Sequence, residues 1–344
     1  MFQSLPNKCL VAVLALASFF ASFTNAIVMN PLSHRSADDM KLWVLWNRVS
    51  SMKYEKDRFI EEAEKASMDF NIVHADEIEL VVDRDDRKSI IYNNEIVSLP
   101  DVMLARTGSG TSFYNLSVLR QFERLNVPTL PNSAAIEASK DKMYANQILA
   151  QAGLPIPKTM LARFPCNSEL VQKVVGFPCV LKVVTGSLGK GVHLCHSPKE
   201  FEELSELLSS VNKNMSMIIQ EFVDFSSGRD LRVMVVGGKV VGAMQRKSTD
   251  GNFKANVSRG GEATAFPVDQ DMEKLAIDVA KALDLEVAGI DLLFHPDGYK
   301  VCEANSSPGF KGFEEALGIN VPKQLFQYAK ERANSRFSDS YRPY

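Results

Sequence analysis

Three oxygen-bearing side chains, Asp291, Glu303 and Asn305, stand inside two short apolar runs, GIDLLF at 289–294 and KVCEANSSPGF at 300–310. Each run is apolar and β-branched around its acidic position, and the intervening HPDG at 295–298 is a turn sequence, so the segment reads as a β-hairpin. Side chains alternate along a strand, which puts Glu303 and Asn305 on one face. Carboxylate and amide oxygens suit a hard cation such as Mg²⁺, whose remaining positions are commonly filled by substrate phosphates. The chemistry this points to is the handling of a metal–nucleotide.

A second chemical segment is KVVTGSLGKGV at 182–192, with Gly186, Gly189 and Gly191 between Lys182 and the following strand. Glycines let backbone N–H groups approach phosphates because no Cβ intervenes. The spacing is not that of a Walker A loop, since Lys190 precedes Gly191 rather than Ser or Thr, and the loop opens no helix. An ordinary hairpin also favours glycine, so the loop alone decides little. Lys182 adds weight, because a lysine inside an apolar strand requires a partner such as a phosphate.

The run IIQEFVDFSSGRDLRVMVVGGKVVGAMQRK at 218–247 supplies Glu221 and Phe222 at a strand end, a place for a nucleotide base to stack. Asp230 and Arg232 share one face of the next strand, and the bland reading of that pair is a cross-strand salt bridge. Arg246 ends the strand after it. The loop NFKANVSRGG then brings Lys254, Asn256 and Arg259 within a few residues, a cluster that could equally be a solvated surface.

These residues need a scaffold, and the rest of the chain reads as alternating strands and helices. Strands are expected at Lys41–Trp46, Asn71–Ala75 and Val102–Ala105, with helices over 56–66 and 115–125, giving a parallel βαβ unit. A helix over 139–152 ends at Gly153, Pro155 and Pro157. Beyond it the spacing predicts a hairpin over 179–196, a helix over 198–208, strands at 217–222, 230–236 and 239–246, the metal hairpin, and a closing helix over 321–334. The expected divisions are a leader at 1–26, a connector at 27–39, units at 40–130, 131–216 and 217–334, and a polar tail at 335–344.

Composition excludes several classes. A hydrophobic fraction of 45% with 24% charged residues argues against disorder, and a net charge of −3 gives no general attraction to nucleic acid or anionic membranes. The five cysteines are widely spaced without C-x-x-C pairing, so neither a disulfide framework nor a zinc site is called for; Cys179 and Cys302 read as buried thiols. Lys8, the apolar run 9–23 and Thr24-Asn25-Ala26 form a signal-peptide pattern, too short to span a membrane comfortably.

The glycine loop, the segment 228–232, the SRGG turn, the EANSSPG strand end and RTGSGTSFYNLSVLRQFE at 106–123 together resemble the RimK-type ATP-grasp glutamate ligases. The resemblance runs from about Met40 to about Asn334. It implies an α/β (α+β) ATP-grasp fold of three subdomains, an N-terminal parallel βαβ unit and two strand-rich lobes sandwiching ATP. It also implies an ATP-dependent carboxylate–amine ligase that works through an acyl phosphate. The partners so implied are L-glutamate and a carboxylate acceptor: a ribosomal protein tail, polyglutamate, N-acetylaspartate or citrate. A homo-oligomer is a further implication.

By the same resemblance Lys182 contacts ATP phosphates, Glu221 and Phe222 line the adenine pocket, and Asp230 holds the ribose. Lys254 and Asn256 reach phosphate, and Lys142 lies near the nucleotide. Asp291, Glu303 and Asn305 hold two Mg²⁺ or Mn²⁺ ions with Glu303 bridging, and Arg246, Arg259 and Arg106 bind acyl phosphate and substrate carboxylate. Where the family has Arg-Ser-Asn this chain has Lys254-Ala255-Asn256, which keeps the charge and loses the guanidinium fork. Consumption of ATP favours the cytoplasm and an effective start near Met40. The sequons at Asn256 and Asn305 agree, since both fall inside the expected site, where a glycan would be destructive.

Overall fold

A computed structural model describes residues 40–48, 52–84, 89–184, 191–211, 215–255 and 261–339, all within one contact unit, Met40–Tyr344. The chain opens with β1 (Lys41–Trp46), α1 (Lys53–Lys65), β2 (Asp69–His74), a small antiparallel set β3 (Ile78–Leu80), β4 (Ile90–Tyr92) and β5 (Glu95–Ile96), then β6 (Val102–Arg106), α2 (Phe113–Arg124) and β7 (Thr129–Leu130). Strands β2, β1, β6 and β7 form a parallel sheet in that order, as the βαβ reading requires. All six residues of β1 except Lys41 are buried, and so is all of β6, because helices cover both faces of a parallel sheet.

The helix expected over 139–152 is two helices, α3 (Ser133–Lys140) and α4 (Lys142–Gln151). The break is Asp141, whose extended backbone ends the first helix while its carboxylate accepts from Met143 N and Tyr144 N to cap the second. A four-stranded sheet follows, in the order β10 (Val192–Cys195), β9 (Cys179–Val183), β11 (Ser216–Glu221) and β8 (Thr159–Arg163). Helices α5 (Ser168–Val174) and α6 (Pro198–Val211) cover one face of it, meeting Phe164, Phe201 and Ile219 in a separate core.

The third sheet is antiparallel, β14 (Glu262–Phe266), β13 (Lys239–Lys247), β12 (Arg229–Val236), β15 (Val287–His295) and β16 (Gly298–Asn305). Helix α7 (Gln270–Ala282) packs on one face through Met272, Ala276 and Val279. Two more helices close the chain, α8 (Lys311–Leu317) and α9 (Val321–Asp339), the latter running into what was expected as tail. Strong contact joins the first and third sheets, where α1 meets α8. Glu314 there accepts from Tyr54 Oη at 2.8 Å, Arg58 Nε at 2.9 Å and Val321 N at 2.8 Å. A carboxylate this well supplied with donors costs little to bury.

Among the described residues no helix is long and apolar enough to cross a membrane, and Cys166, Cys179, Cys195 and Cys302 are free thiols. The leader pattern lies outside the described residues.

Candidate active site

The hairpin is β15–β16, and its register pairs Asp291 directly with Glu303 and Gly289 with Asn305. The ladder shifts next to Asp291, so that Leu292 pairs with Val301 and Cys302 is the extra residue of a β-bulge. The bulge turns Cys302 toward the same cavity as Glu303, which is why this thiol, expected in the core, is only half-buried and lines the site. Asn305 Nδ2 donates to Gly289 O at 3.2 Å, leaving its amide oxygen as the free donor atom for a cation.

Asp291 is buried on the shared wall of β12, β13 and β15 within a four-residue charge network. Arg232 grips it with both Nε and Nη2, the latter at 2.8 Å, and Arg246 Nη2 approaches its second oxygen at 3.0 Å. Arg246 in turn makes a forked pair with Asp230, both contacts at 2.7 Å. The cross-strand reading of Asp230 and Arg232 therefore holds with different partners: each residue pairs with the strand on its own side. Burial alone would raise the Asp291 carboxyl, but Arg232 and Arg246 together outweigh it and hold that carboxyl below its usual range. Asp230, forked to Arg246 alone and beside the anionic Asp291, is pushed up by its burial.

Facing this wall is the underside of the four-stranded sheet. Lys182, in β9, donates from Nζ to Gln220 Oε1 at 2.6 Å and lies 3.8 Å from Cys302 Sγ. Glu221 accepts from Lys158 N at 2.9 Å and from Lys300 Nζ at 2.7 Å, which ties the end of β11 to β16. Burial opposes its charge, but Lys300 and the backbone donor win and hold the carboxyl below the usual range. Phe222 packs edge-on against Phe253 at 6.2 Å between ring centres.

One cavity of about 960 Å³ collects these groups. Of the residues singled out in the sequence it is lined by Arg106, Lys142, Lys182, Glu221, Phe222, Asp230, Arg246, Lys254, Asp291, Glu303 and Asn305. Gly191 stands beside it at φ +65, where a Cβ would meet Val183 Cγ1 at 2.8 Å, so only glycine fits. Gly186, Gly189, Asn256 and Arg259 lie outside the described residues. Arg106 reaches the cavity from the end of β6 but is buried, donating to Pro308 O at 2.6 Å between the rings of Phe59 and Phe310.

Sequence reasoning passed over Gln220 and Lys300, each a polar residue in an apolar strand that holds a named site residue in place. That misfit with the surrounding run was the available signal for both. It also left Arg232 as half of a cross-strand salt bridge.

The donor set fits a hard divalent ion. Two carboxylates and an amide oxygen contain no soft ligand, and among the described residues no group of three His, Cys, Asp or Glu offers a competing site. The cavity lies between sheets, one of the places where ligand sites preferentially form.

Residues 40–136 match the RimK PreATP-grasp domain and residues 139–329 the RimK-like ATP-grasp domain. A protein of Psychromonas ingrahamii named "probable alpha-L-glutamate ligase" is 33% identical over 305 residues, covering 88% of this chain and 99% of its own. Two solved structures share the fold. The ATP-grasp ligase PsnB, complexed with a phosphomimetic variant of its minimal precursor, Mg and ADP, matches with a TM-score of 0.66 at 18% identity, over 86% of this chain and 99% of its own. The D-alanine–D-alanine ligase of Bacillus anthracis complexed with ATP matches with a TM-score of 0.63 at 19% identity, over 87% and 99%. Sheet order, a charged cleft between two antiparallel sheets and these likenesses agree, and the chain belongs to the RimK-like ATP-grasp ligases.

Proposed function

We propose that this ligase joins the amine of L-glutamate to a carboxylate acceptor, most readily the C-terminus of a protein or a growing polyglutamate chain, at the expense of ATP. The observation that carries it is the convergence on one cavity of Lys182, Arg246, Asp291, Glu303 and Asn305 from four different strands. Glutamate as the amine rests on the naming of the relatives. We divide the chain functionally at 40–130, 131–216 and 217–334, and the ATP requirement favours the cytoplasm for the reaction.

A carboxylate is a poor electrophile, so the γ-phosphoryl group is first transferred to the acceptor, and the amine then displaces phosphate from the acyl phosphate. Lys182 holds phosphate oxygens, exchanging Gln220 for a stronger, charged partner. Glu221 and Phe222 hold the base, Asp230 the ribose, and Lys142, Lys254 and the loop glycines 186, 189 and 191 the phosphates. Asp291, Glu303 and Asn305 hold Mg²⁺ or Mn²⁺, which when bound neutralises phosphate charge and aligns donor with acceptor. Arg246 and Arg259 stabilise the acyl phosphate and the oxyanion formed when the amine adds.

The test is incubation with ATP, Mg²⁺, labelled glutamate and candidate acceptors, followed by mass spectrometry. Multiple-turnover release of ADP and phosphate that requires both acceptor and glutamate, together with glutamyl mass increments on the acceptor, is the expected outcome. Multiple-turnover ADP formation that needs no glutamate and leaves a phosphorylated acceptor would identify a kinase, and thermal stabilisation by nucleotide without any ADP would identify a binding module. A narrower check is Lys182→Met. Losing one charged phosphate contact, worth about 1.5–3 kcal/mol, weakens Mg–ADP affinity on the order of 10–100-fold by calorimetry while the ligand-free melting temperature hardly moves.

A further inference from the structure

The turn that follows Asn305 is gripped from the first sheet's side at both of its polar edges. Arg106, at the end of β6, donates from Nη2 to Pro308 O at 2.6 Å, and Glu55, on α1, accepts from Phe310 N at 3.1 Å and Lys311 N at 3.3 Å. These contacts join residues more than two hundred positions apart. The turn has no slack against α1, since a Cβ on Gly309 would lie 3.3 Å from Glu55 Oε1 and 3.2 Å from Met52 Cε. On its far side Pro308 sits against Gly289, where a Cβ would come within 2.6 Å of Pro308 Cβ. Gly289 is also the residue whose carbonyl orients the Asn305 amide.

Arg106 is poorly placed to receive a substrate carboxylate. It is 5% exposed, and its guanidinium carbon lies 5.9 Å from the Phe59 ring centre and 5.7 Å from that of Phe310. Its Nε is buried with no hydrogen-bond partner among the described residues. A buried orphan donor is costly, so its retention requires a reason other than stability. Burial lowers its pKa to about 10, opposed by Glu55, which leaves it cationic at neutral pH.

We propose that Arg106 and Glu55 are positioning residues: by fixing the 308–310 turn between α1 and Gly289 they set the Asn305 and Glu303 oxygens that receive the metal–nucleotide. This rests on the reading of Asp291, Glu303 and Asn305 as the metal set. The first sheet thereby contributes to metal affinity without touching metal or nucleotide.

The experiment measures Mn²⁺ binding in the presence of ADP, by the loss of the free-ion paramagnetic resonance signal, on the full chain and on Arg106→Lys and Glu55→Gln. Lysine keeps the charge but loses the planar stack and fork, whereas glutamine keeps an oxygen acceptor for the two N–H groups. Arg106→Lys should weaken Mn²⁺ binding by about 10–100-fold, as loss of support to a metal ligand does. Glu55→Gln should weaken it several-fold, and in both variants the KM for glutamate should stay within about twofold. Folded variants that bind Mn²⁺ as tightly as wild type would overturn the proposal, and so would a defect in Arg106→Lys confined to the KM for glutamate, which would make Arg106 a substrate ligand. If the wild-type protein itself fails to bind Mn²⁺ with ADP, the metal reading falls, and the positioning role with it.

Discussion

Glu303→Gln should abolish ADP formation, by at least about a hundredfold in kcat, while leaving the melting temperature within about 1–2 °C of wild type. The two halves of this expectation have different physical origins. Glu303 lines the cavity, half-buried, and its side chain forms no hydrogen bond or ion pair with any described residue, so replacing its carboxylate by an amide removes no fold-stabilising contact. Its place in the register, directly across from Asp291, makes it the carboxylate able to serve the cation without first being released from a guanidinium. A neutral amide keeps an oxygen but not the charge that a hard ion selects, and metal charge stabilisation is worth several kcal/mol in phosphoryl transfer. Coupled-enzyme detection of ADP and calorimetry on the same preparation check both halves. A folded, active Glu303→Gln enzyme would sink the metal assignment.

The hairpin was legible because it is written locally: alternation, a turn signal and acidic residues at strand centres all lie within a few residues. The parallel unit was legible for the same reason, through the apolar runs 42–46 in β1 and 102–105 in β6. What escaped is non-local or subtle. The bulge at Cys302 has no sequence mark, since an extra strand residue is defined only by its partner strand, and it turned an expected core thiol into a cavity wall. The split of 133–151 into two helices depends on Asp141 choosing to cap rather than continue, a competition that helical periodicity does not register. Arg106 was recognisable as a chemically capable residue beside a glycine-rich segment. Its grip on Pro308, two hundred residues away, was not, because sequence separation says nothing about which turn a buried guanidinium meets. The charge network around Asp291 lay in between. Its members stood out singly, and the strand order β13-β12-β15 alone decided their pairing.

That network carries the second large effect. Arg246→Met removes the forked partner of Asp230 and one of two guanidinium neighbours of Asp291, leaving two carboxylates buried beside Arg232 alone. Breaking a buried pair from one side costs about 3–5 kcal/mol, whereas neutralising both partners costs little. At about 2–4 °C per kcal/mol the melting temperature should fall on the order of 10 °C. Adding Asp230→Asn should then restore more than half of that loss, because Arg232 still neutralises Asp291 and no unpaired charge remains. Activity should respond differently. If Arg246 also faces the acyl phosphate, the double variant stays at least about a hundredfold slower than wild type despite its recovered stability, since preorganised donors to a developing oxyanion are not replaced by a neutral side chain. Scanning calorimetry and single-turnover ADP formation on the four members of the cycle separate the two roles. Recovery of activity in step with stability would assign Arg246 to the fold alone and leave Arg259 as the cation of the reaction.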